Sequence, residues 1–425
     1  MAFSMMQLFL LGALGPRLVN ELDVSPTLLG LTTTIGFGAA AVLSPVGGRV
    51  VDRVGPRRCL VALLLVSAVA LALIGAAPGI GLLLAAVALG GLPQALANPA
   101  TNKAILATVP PERRGSVTGM KQSGVQLGAF AAGLPLAALA GVAGWRVAVW
   151  TAAGAAVVAA VWAARVLPVD AEASVGGPSP KPGQGSGPRP SEGSGPRPGS
   201  PPASEPGSPP ASQPGTSPAS QPGTSPASGP RSSLVPRGAI AWLTVFSLLL
   251  GCGIASVNTY LALYGAQRLG LGPTAAGALV AVLGIAGVAG RVGWSKVAGQ
   301  PGRAVWLPGG LAAGSVGAAL LLAGATFVHP LAWVAAVAVG VFAVAANAVS
   351  MVLVMQRAAA GRAGADSALV SAGFFAGFAV GPPLFGLLAE SGHYGPGWLL
   401  VAGEFAGACA VALCWAVRDR REARA

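Results

Sequence analysis

The chain of 425 residues is 53% hydrophobic, has only 9% charged residues and carries a formal net charge of +13. A soluble protein has roughly a quarter of its residues charged, so this composition excludes an ordinary soluble domain. The basic residues lie in short links between apolar runs, which argues against nucleic-acid binding and for a membrane protein.

Apolar runs of membrane-spanning length recur along the chain. About 20 apolar residues cross a bilayer core as a helix, and backbone groups in lipid must be hydrogen-bonded internally. The runs lack the two-residue alternation of a membrane β-barrel. The sequence therefore predicts an all-α integral membrane protein with twelve transmembrane helices, at residues 2–19, 27–47, 58–77, 80–106, 116–140, 146–167, 239–265, 273–294, 304–326, 330–355, 365–389 and 397–417.

The first predicted span is short. Relative to the Pro-Thr pair that opens the next span, it begins about ten residues later than its counterpart, span 7. We therefore expect helix 1 to be truncated, with a start site upstream of Met1.

A compact charged segment at residues 48–58, GRVVDRVGPRR, separates the second and third spans. Loops on its side of the membrane are rich in arginine, whereas the opposite loops hold only Arg17, Arg146 and Arg268. Cytoplasmic loops carry the excess of Lys and Arg, so we predict a multi-pass plasma-membrane protein with cytoplasmic N- and C-termini. The basic residues assigned to the cytoplasmic loops are Arg49, Arg53, Arg57, Arg58, Arg113, Arg114, Arg165, Arg291, Lys296, Arg303, Arg357 and Arg362.

Polar side chains follow helical spacing within several spans. In span 4, four of them recur at i, i+4, i+7 and i+8, which places them on one helical face. Polar groups at this depth either line a cavity or bind neighbouring helices to one another, and both interpretations stay open. The candidate cavity residues are Gln94, Asn98, Thr101, Asn102, Lys121, Gln122, Gln126, Asn258, Tyr260, Tyr264, Asn347 and Met351.

Few ionisable residues fall within the spans. A charge at a helix centre costs about 2.5–3.5 kcal/mol on insertion scales, so each requires a reason. Lys121 lies about two turns into span 5 and is favoured as a cavity cation, whereas Lys103 could reach the interface by snorkelling. Glu404 in span 12 is expected to pair or to face another molecule rather than to bind substrate.

A segment of different composition lies between spans 6 and 7. Residues 168–237 are rich in Pro, Gly and Ser, and an eight-residue unit of the type PGSPPASE recurs in them. Such a segment cannot bury enough apolar surface to offset its ordering entropy, so we predict a disordered cytoplasmic linker. Binding of a proline-recognising module is the alternative. The domains are then 1–167, a six-helix bundle; 168–237, the linker; 238–417, a second six-helix bundle; and 418–425, a basic tail.

The two bundles repeat each other in sequence. Asn98 and Arg113 coincide with Asn347 and Arg362 at a shift of 249 residues, and three glycines keep the same shift. Residues 48–50, Gly-Arg-Val, recur at 290–292. Because the matches keep their places relative to the spans, we predict two pseudo-symmetric six-helix bundles of like orientation.

The charged segment carries a resemblance to the major facilitator superfamily. The superfamily signature between helices 2 and 3 has the form Gly-x-x-x-Asp-Arg/Lys-x-Gly-Arg/Lys-Arg/Lys. Pro56 replaces one basic residue of that signature, and the second copy has Trp294 where the aspartate would lie. The residues that match the signature are Gly48, Asp52, Arg53, Gly55, Arg57 and Arg58.

The resemblance implies alternating access, in which two bundles rock about a central site. It implies that the signature segment latches the cytoplasmic side, with Asp52 near the start of helix 11 around Gly364 and Asp366. A carboxylate there would be favoured by the free N–H groups of that helix. The alternative is that the segment only sets topology. The resemblance further implies that helices 1, 4, 7 and 10 line the cavity.

These observations predict a bacterial secondary transporter of a small organic solute, and not an enzyme. The four expected cavity helices lack a mid-membrane Asp or Glu, which suits an anionic or neutral solute better than a cation. An efflux antiporter for drugs or metabolites is the alternative, and a transporter-like sensor is a further one. We expect no cofactor, no metal site, no catalytic residue and no nucleic acid. The expected partners are the solute, the lipid bilayer and, as a candidate, coupled protons, and the protein is expected to be monomeric.

Overall fold

A computed structural model describes residues 1–167, 238–298, 305–357, 363–390 and 392–422. The predicted linker at 168–237 lies outside the described residues, as do the last three positions of the basic tail. Within the described ranges the regular secondary structure is helical and contains no strand. The all-α fold class is therefore confirmed.

The first half of the protein contains eight helical segments. Several begin with proline at the first helical position, where its missing N–H is not needed. A π-helical segment at Ala132–Leu136 joins two of them around Pro135, which lacks the N–H for a regular helical bond. The segments are α1 (Ala2–Ala13), α2 (Gly15–Leu22), α3 (Pro26–Val54), α4 (Pro56–Ala76), α5 (Ile80–Thr108), α6 (Pro111–Ala131), α7 (Ala137–Ala143) and α8 (Trp145–Val166).

The second half contains seven helical segments in its described ranges. A π-helical segment at Val339–Val344 interrupts the helix of the tenth predicted span. The segments are α9 (Ala239–Gln267), α10 (Pro273–Ala298), α11 (Leu307–Gly324), α12 (Leu331–Ala338), α13 (Ala345–Arg357), α14 (Ala363–Glu390) and α15 (Tyr394–Glu422).

The helices reproduce the predicted spans. Eleven helices in the described part of the chain are long and apolar enough to cross a membrane, or twelve if the bent pair α1–α2 counts as one span. That pair bends by 64° at Leu14, because Pro16 cannot continue the hydrogen-bond ladder of α1. The prediction of a single span at 2–19 did not include this bend.

Small residues allow close crossings between the two halves. A Cβ built at Gly12 of α1 would overlap the backbone oxygen of Asn258 in α9. A Cβ at Gly284 of α10 would lie 2.8 Å from the backbone oxygen of Gln126 in α6. Without apolar association to drive them together, membrane helices gain most from such close van der Waals contact. Glycine therefore sets the spacing at which α1 meets α9 and α6 meets α10.

The second half also has contacts between its own helices. Tyr264 packs edge-on against Trp398 with ring centroids 5.3 Å apart, in an aromatic cluster between α9 and α15. At the other end of α15, Asp419 accepts both terminal nitrogens of Arg357, the last residue of α13. This bidentate bond raises the pKa of Arg357 above its usual value. These contacts fix α15 against the second half at both ends.

Candidate functional site

Lys121 lies at the centre of a polar cluster between α5 and α6. Its ammonium donates to the side-chain oxygens of Asn98, at 3.3 Å, and Asn102, at 2.7 Å. Asn98 and Asn102 are four residues apart, so they lie on one face of α5. The structure thus brings together three of the predicted site residues, and both partners of the ammonium are neutral.

The other two predicted residues of α5 behave differently. Gln94 is buried, and neither atom of its amide group has a hydrogen-bond partner in the described part of the protein. A buried amide without partners is costly, which makes Gln94 a polar group available to a ligand or to water. The Thr101 hydroxyl donates to the Ala97 carbonyl of its own helix at 2.5 Å. Thr101 therefore makes a local bond on the same face.

Gln122, which follows Lys121 in α6, and Gln126, one helical turn later, both face α10. The backbone oxygen of Gln122 accepts from Nη1 of Arg291 at 2.8 Å, and its side-chain Oε1 is 3.5 Å from the same nitrogen. Gln126 is 3% exposed, packs over Gly287, and its Oε1 has no partner among the described residues. The two glutamines therefore form part of the contact between the halves.

Arg291 is the site residue that the sequence analysis missed. Counting it as a loop cation was wrong, because it lies inside α10 and is 8% exposed. The signal was present, since the predicted span 273–294 already included position 291. A membrane helix that contains an arginine is expected to turn it inward.

The candidates on α9 fall into two groups. Asn258 is buried and its Oδ1 has no partner among the described residues. The Tyr260 hydroxyl donates to the Pro26 carbonyl of the first half at 2.7 Å. The Tyr264 hydroxyl donates to the Leu322 carbonyl at 2.9 Å, and Leu322 belongs to α11 of its own half. Tyr260 therefore lies at the contact between halves, whereas Tyr264 lies within the second half.

Asn347 and Met351 share one face of α13, as their four-residue spacing predicts. Asn347 is half-buried, and its Oδ1 is a solvent-excluded acceptor with no partner among the described residues. Met351 is half-buried and packs against the apolar core. Asn347 is thus a fourth amide, after Gln94, Gln126 and Asn258, with unused hydrogen-bonding capacity.

Hydrogen bonds join the two halves at the end of the molecule where α3 begins, which we call the Pro26 face. In addition to the Tyr260 bond, the hydroxyls of Thr33 and Thr259 are 3.0 Å apart. Thr34 donates to the Ala379 carbonyl of α14 at 2.7 Å, and Thr27 bonds the Glu390 carboxylate. These bonds connect α3 to α9 and α14, so the halves are held together on this side.

The signature segment lies at the opposite end of α3. Gly55 adopts φ 95° between α3 and α4, a conformation that favours glycine. Arg57 donates to the Ala164 carbonyl of α8, and Lys103 donates to the Val51 carbonyl at 3.3 Å. Arg53 and Arg58 are exposed. The surroundings of Gly48, Gly364 and the Asp52 side chain lie outside what the structure describes, so the predicted contact of Asp52 stays a prediction.

An apolar groove of about 380 Å³ lies elsewhere, on α10 beside Val341. Neither Arg291 nor any of the predicted cavity residues lines this groove, whose lining residues are Ala289, Gly290, Gly293, Trp294, Val297 and Val341. Among the described residues, no group of three or more His, Cys, Asp or Glu could hold a metal ion.

The helices, together with the polar residues between the two halves of the chain, define a polytopic membrane protein that is built from two bundles. The family model for the Major Facilitator Superfamily matches residues 1–370. The chain belongs to that superfamily, which makes it a membrane transporter by family.

Solved structures share this fold at low sequence identity. A bacterial homologue of the human lysosomal transporter Spinster, in an inward-facing and occupied conformation, is 14% identical, with a TM-score of 0.70 over 99% of this chain and 94% of that one. The nucleoside transporter NupG, as a D323A mutant, is 13% identical, with a TM-score of 0.66 over 97% and 98%. The human organic anion transporter MFSD10 is 14% identical, with a TM-score of 0.63 over 97% of each chain. No curated protein matches the chain significantly in sequence.

Proposed function

We propose that this protein is a secondary active transporter that moves a small organic solute across the plasma membrane by alternating access. The observation that carries the proposal is the polar cluster of Lys121, Asn98 and Asn102 inside membrane-spanning helices. Lys121 lies at the start of the apolar stretch Met120–Ala143, and an ammonium that is held there by neutral amides is a costly feature for a purely structural protein. It suits a site that receives a solute from water.

The bonds at the Pro26 face support a rocking mechanism. Tyr260 and Thr259 join α9 to α3 there through single hydrogen bonds. Each such bond contributes about 0.5–1.5 kcal/mol, so the set can break and reform during transport. With cytoplasmic termini, as the arginine distribution favours, this face is extracellular. The resting arrangement is then closed to the outside.

The signature segment is proposed to act as the cytoplasmic latch. Arg57 of the segment bonds α8, and Lys103 of α5 bonds the Val51 carbonyl of the segment. A segment fixed to the first half can engage and release the second half as one unit. In this proposal Asp52 supplies the contact to the start of α14.

The solute is proposed to be anionic or neutral. The helices that correspond to spans 4, 7 and 10 contain no Asp or Glu, whereas the cluster offers the cation Lys121. Efflux antiport is the second candidate, because the run from Gly377 to Gly386 resembles the glycine-proline motif that antiporters of the superfamily carry in helix 5. Here the run lies in the eleventh span, and span 5 does not match the motif, which weakens the antiport interpretation. In the structure, however, a Cβ at Gly377 or Gly381 would overlap the backbone of α9. Close packing accounts for those two glycines, so we place antiport second.

Counterflow in proteoliposomes tests the proposed function. Proteoliposomes that contain the purified protein are preloaded with a panel of organic anions and neutral solutes, and they are expected to take up at least one labelled solute. Lys121→Ala is expected to reduce that uptake by at least about tenfold. Lys296→Ala is the matched control, because Lys296 is exposed in the last turn of α10, outside both the cluster and the latch. A lack of flux for every solute, together with specific capture of partners by residues 168–237, would favour a sensor instead.

A further inference from the structure

Arg291 is a charged side chain buried where the two halves meet. It lies in α10 of the second half, is 8% exposed, and bonds α6 of the first half. Its hydrogen bonds within the described residues come from Nη1 alone and go to Gln122 alone. Both acceptors on Gln122 are neutral, so the positive charge of Arg291 is only partly compensated.

The Nε of the guanidinium group adds a second observation. It is buried and has no hydrogen-bond partner among the described residues. A guanidinium has five N–H donors in a rigid fork, and the two donors of its Nε–Nη2 edge match the two oxygens of a carboxylate. An arginine that served only to connect α10 to α6 would gain nothing by burying Nε without an acceptor. The unpaired Nε therefore indicates a ligand.

The protein itself supplies little negative charge nearby. The helices with the main contacts to α10 are α1, α6, α7, α9, α12 and α13, and their sequences contain a single acidic residue, Glu112. Glu112 lies in the first turn of α6, ten residues before Gln122, which is about 15 Å along the helix axis. A counter-ion for Arg291 at its own level is thus missing from these helices.

Lys121 adds a second cation at the same level of the membrane. It precedes Gln122 in α6 and turns toward α5, where its partners are the neutral oxygens of Asn98 and Asn102. One turn further along α6, Gln126 has a buried Oε1 without a partner. The first half thus offers one cation and the second half another, on either side of the same turn of α6.

We propose that Arg291 binds an organic carboxylate on its Nε–Nη2 edge, and that Lys121, which turns toward α5 from the adjacent position of α6, adds positive charge nearby without contacting the carboxylate directly. This inference rests on the proposed transport function and names the solute class of the same site. Because the two cations belong to different halves, a bound carboxylate links the halves electrostatically. Lys121 supplies charge without geometric selection, whereas the fork of Arg291 selects a planar two-oxygen anion.

The test compares carboxylates with their uncharged amides on the full-length protein. Succinate and lactate are expected to raise the melting temperature of the purified wild type and to drive counterflow, whereas succinamide and lactamide are not. Arg291→Gln is expected to weaken the carboxylate effect about 10- to 100-fold. Arg291→Lys keeps the charge but not the fork, and is expected to recover only part of it.

Two further variants keep the test decisive. If Arg291→Gln does not fold, two measurements still test the proposal. Lys121→Gln is also expected to weaken carboxylate binding, and the comparison of carboxylates with their amides on the wild-type protein requires no variant. Arg268→Gln is the control, because Arg268 is exposed and bonds the Gly392 carbonyl at the Pro26 face. One result would overturn this proposal and leave the transport function intact. In it, wild type and Arg291→Gln transport neutral solutes equally, and succinate and lactate neither raise the melting temperature nor drive counterflow. Absence of flux for all solutes would contradict the transport function itself.

Discussion

Tyr260 and Tyr264 lie one helical turn apart on α9 and are both fully buried, but they donate to different halves of the protein. Tyr260 bonds the Pro26 carbonyl of the first half, and Tyr264 bonds the Leu322 carbonyl of the second. The two hydroxyls are therefore a matched pair for separating stability from conformational preference.

Removing either hydroxyl deletes one hydrogen bond to a backbone carbonyl, although the Leu322 carbonyl also accepts from the Ala325 amide at 3.3 Å. Tyr260→Phe and Tyr264→Phe are both expected to lower the free energy of unfolding by about 1 kcal/mol. Only Tyr260→Phe removes a bond between halves, so only it should speed labelling of a cysteine at Thr33 by an impermeant maleimide added at the Pro26 face. Equal labelling rates in the two variants would contradict this role of Tyr260.

The Asp52 carboxylate is expected to act in the latch. Asp52→Asn should slow transport at least about fivefold without lowering the amount of protein in the membrane, because an amide binds free helix N–H groups more weakly than a carboxylate does. Asp23→Asn is the control, since Asp23 lies before the opposite end of α3 and its φ of 51° suits asparagine. Wild-type uptake rates in Asp52→Asn at normal abundance would disprove the latch.

At the scale of residues, the sequence predicted which polar side chains share a helical face better than it predicted which residues they contact. The spacing of Asn98 and Asn102 placed both on one face, which the structure joins to Lys121. Spacing within one helix cannot say which neighbour that face meets, because the neighbour comes from a distant part of the chain. The same limit explains why Tyr260 and Tyr264, alike in sequence, bond different halves.

The packing of α6 against α10 shows how glycine sets the distance between elements. Gly284 faces the backbone of α6, whereas Gly293, on the same helix, has open space where a Cβ would lie. Replacing either glycine with alanine favours the helix by about 1 kcal/mol. The difference between the two substitutions therefore isolates the effect of helix packing.

Gly284→Ala is expected to destabilise the protein relative to Gly293→Ala by about 1–3 kcal/mol, because the added methyl group forces the helices apart. Thermal unfolding in detergent, followed by circular dichroism, measures the difference. Gly293→Ala should unfold at or slightly above the wild-type temperature. Identical melting temperatures for the two variants would show that α6 and α10 separate without cost.

The helices themselves were predictable from apolar runs, since a bilayer dictates both their length and their secondary structure. Their irregularities were not predicted. Pro16 and Pro135 are visible in the sequence, but a proline in a membrane helix is compatible with a kink, a π-turn or a new start. The choice depends on the neighbouring helices that satisfy the released backbone groups.

At the scale of the whole molecule, the proposed alternating access requires the halves to separate at the Pro26 face. Thr33 and Thr259 are opposed there with their hydroxyls 3.0 Å apart, which suits replacement by a disulfide. We expect the double variant Thr33→Cys/Thr259→Cys to lose most of its uptake on oxidation and to regain it on reduction.

The two single-cysteine variants, oxidised in parallel, are the controls, and Cys414 should be replaced because it is exposed. Uptake by the oxidised double variant at the rate of the reduced protein, with the disulfide verified by mass spectrometry, would contradict movement at this face. The internal repeat anticipated two bundles, but it could not indicate which face is closed, because both bundles have the same pattern in either state.

The length of α15 has a consequence for the choice of membrane. Its 29 residues extend about 43 Å, whereas the hydrocarbon core is about 30 Å thick, so roughly two turns project beyond it. Those turns carry Arg420, which lies over the ring of Trp306, and the Asp419 partner of Arg357. Aromatic and basic groups settle at headgroup depth. In bilayers of longer acyl chains, the thicker hydrocarbon core would reach Arg420 and the Arg357–Asp419 pair. The activity of the reconstituted protein should therefore fall as lipid chain length increases.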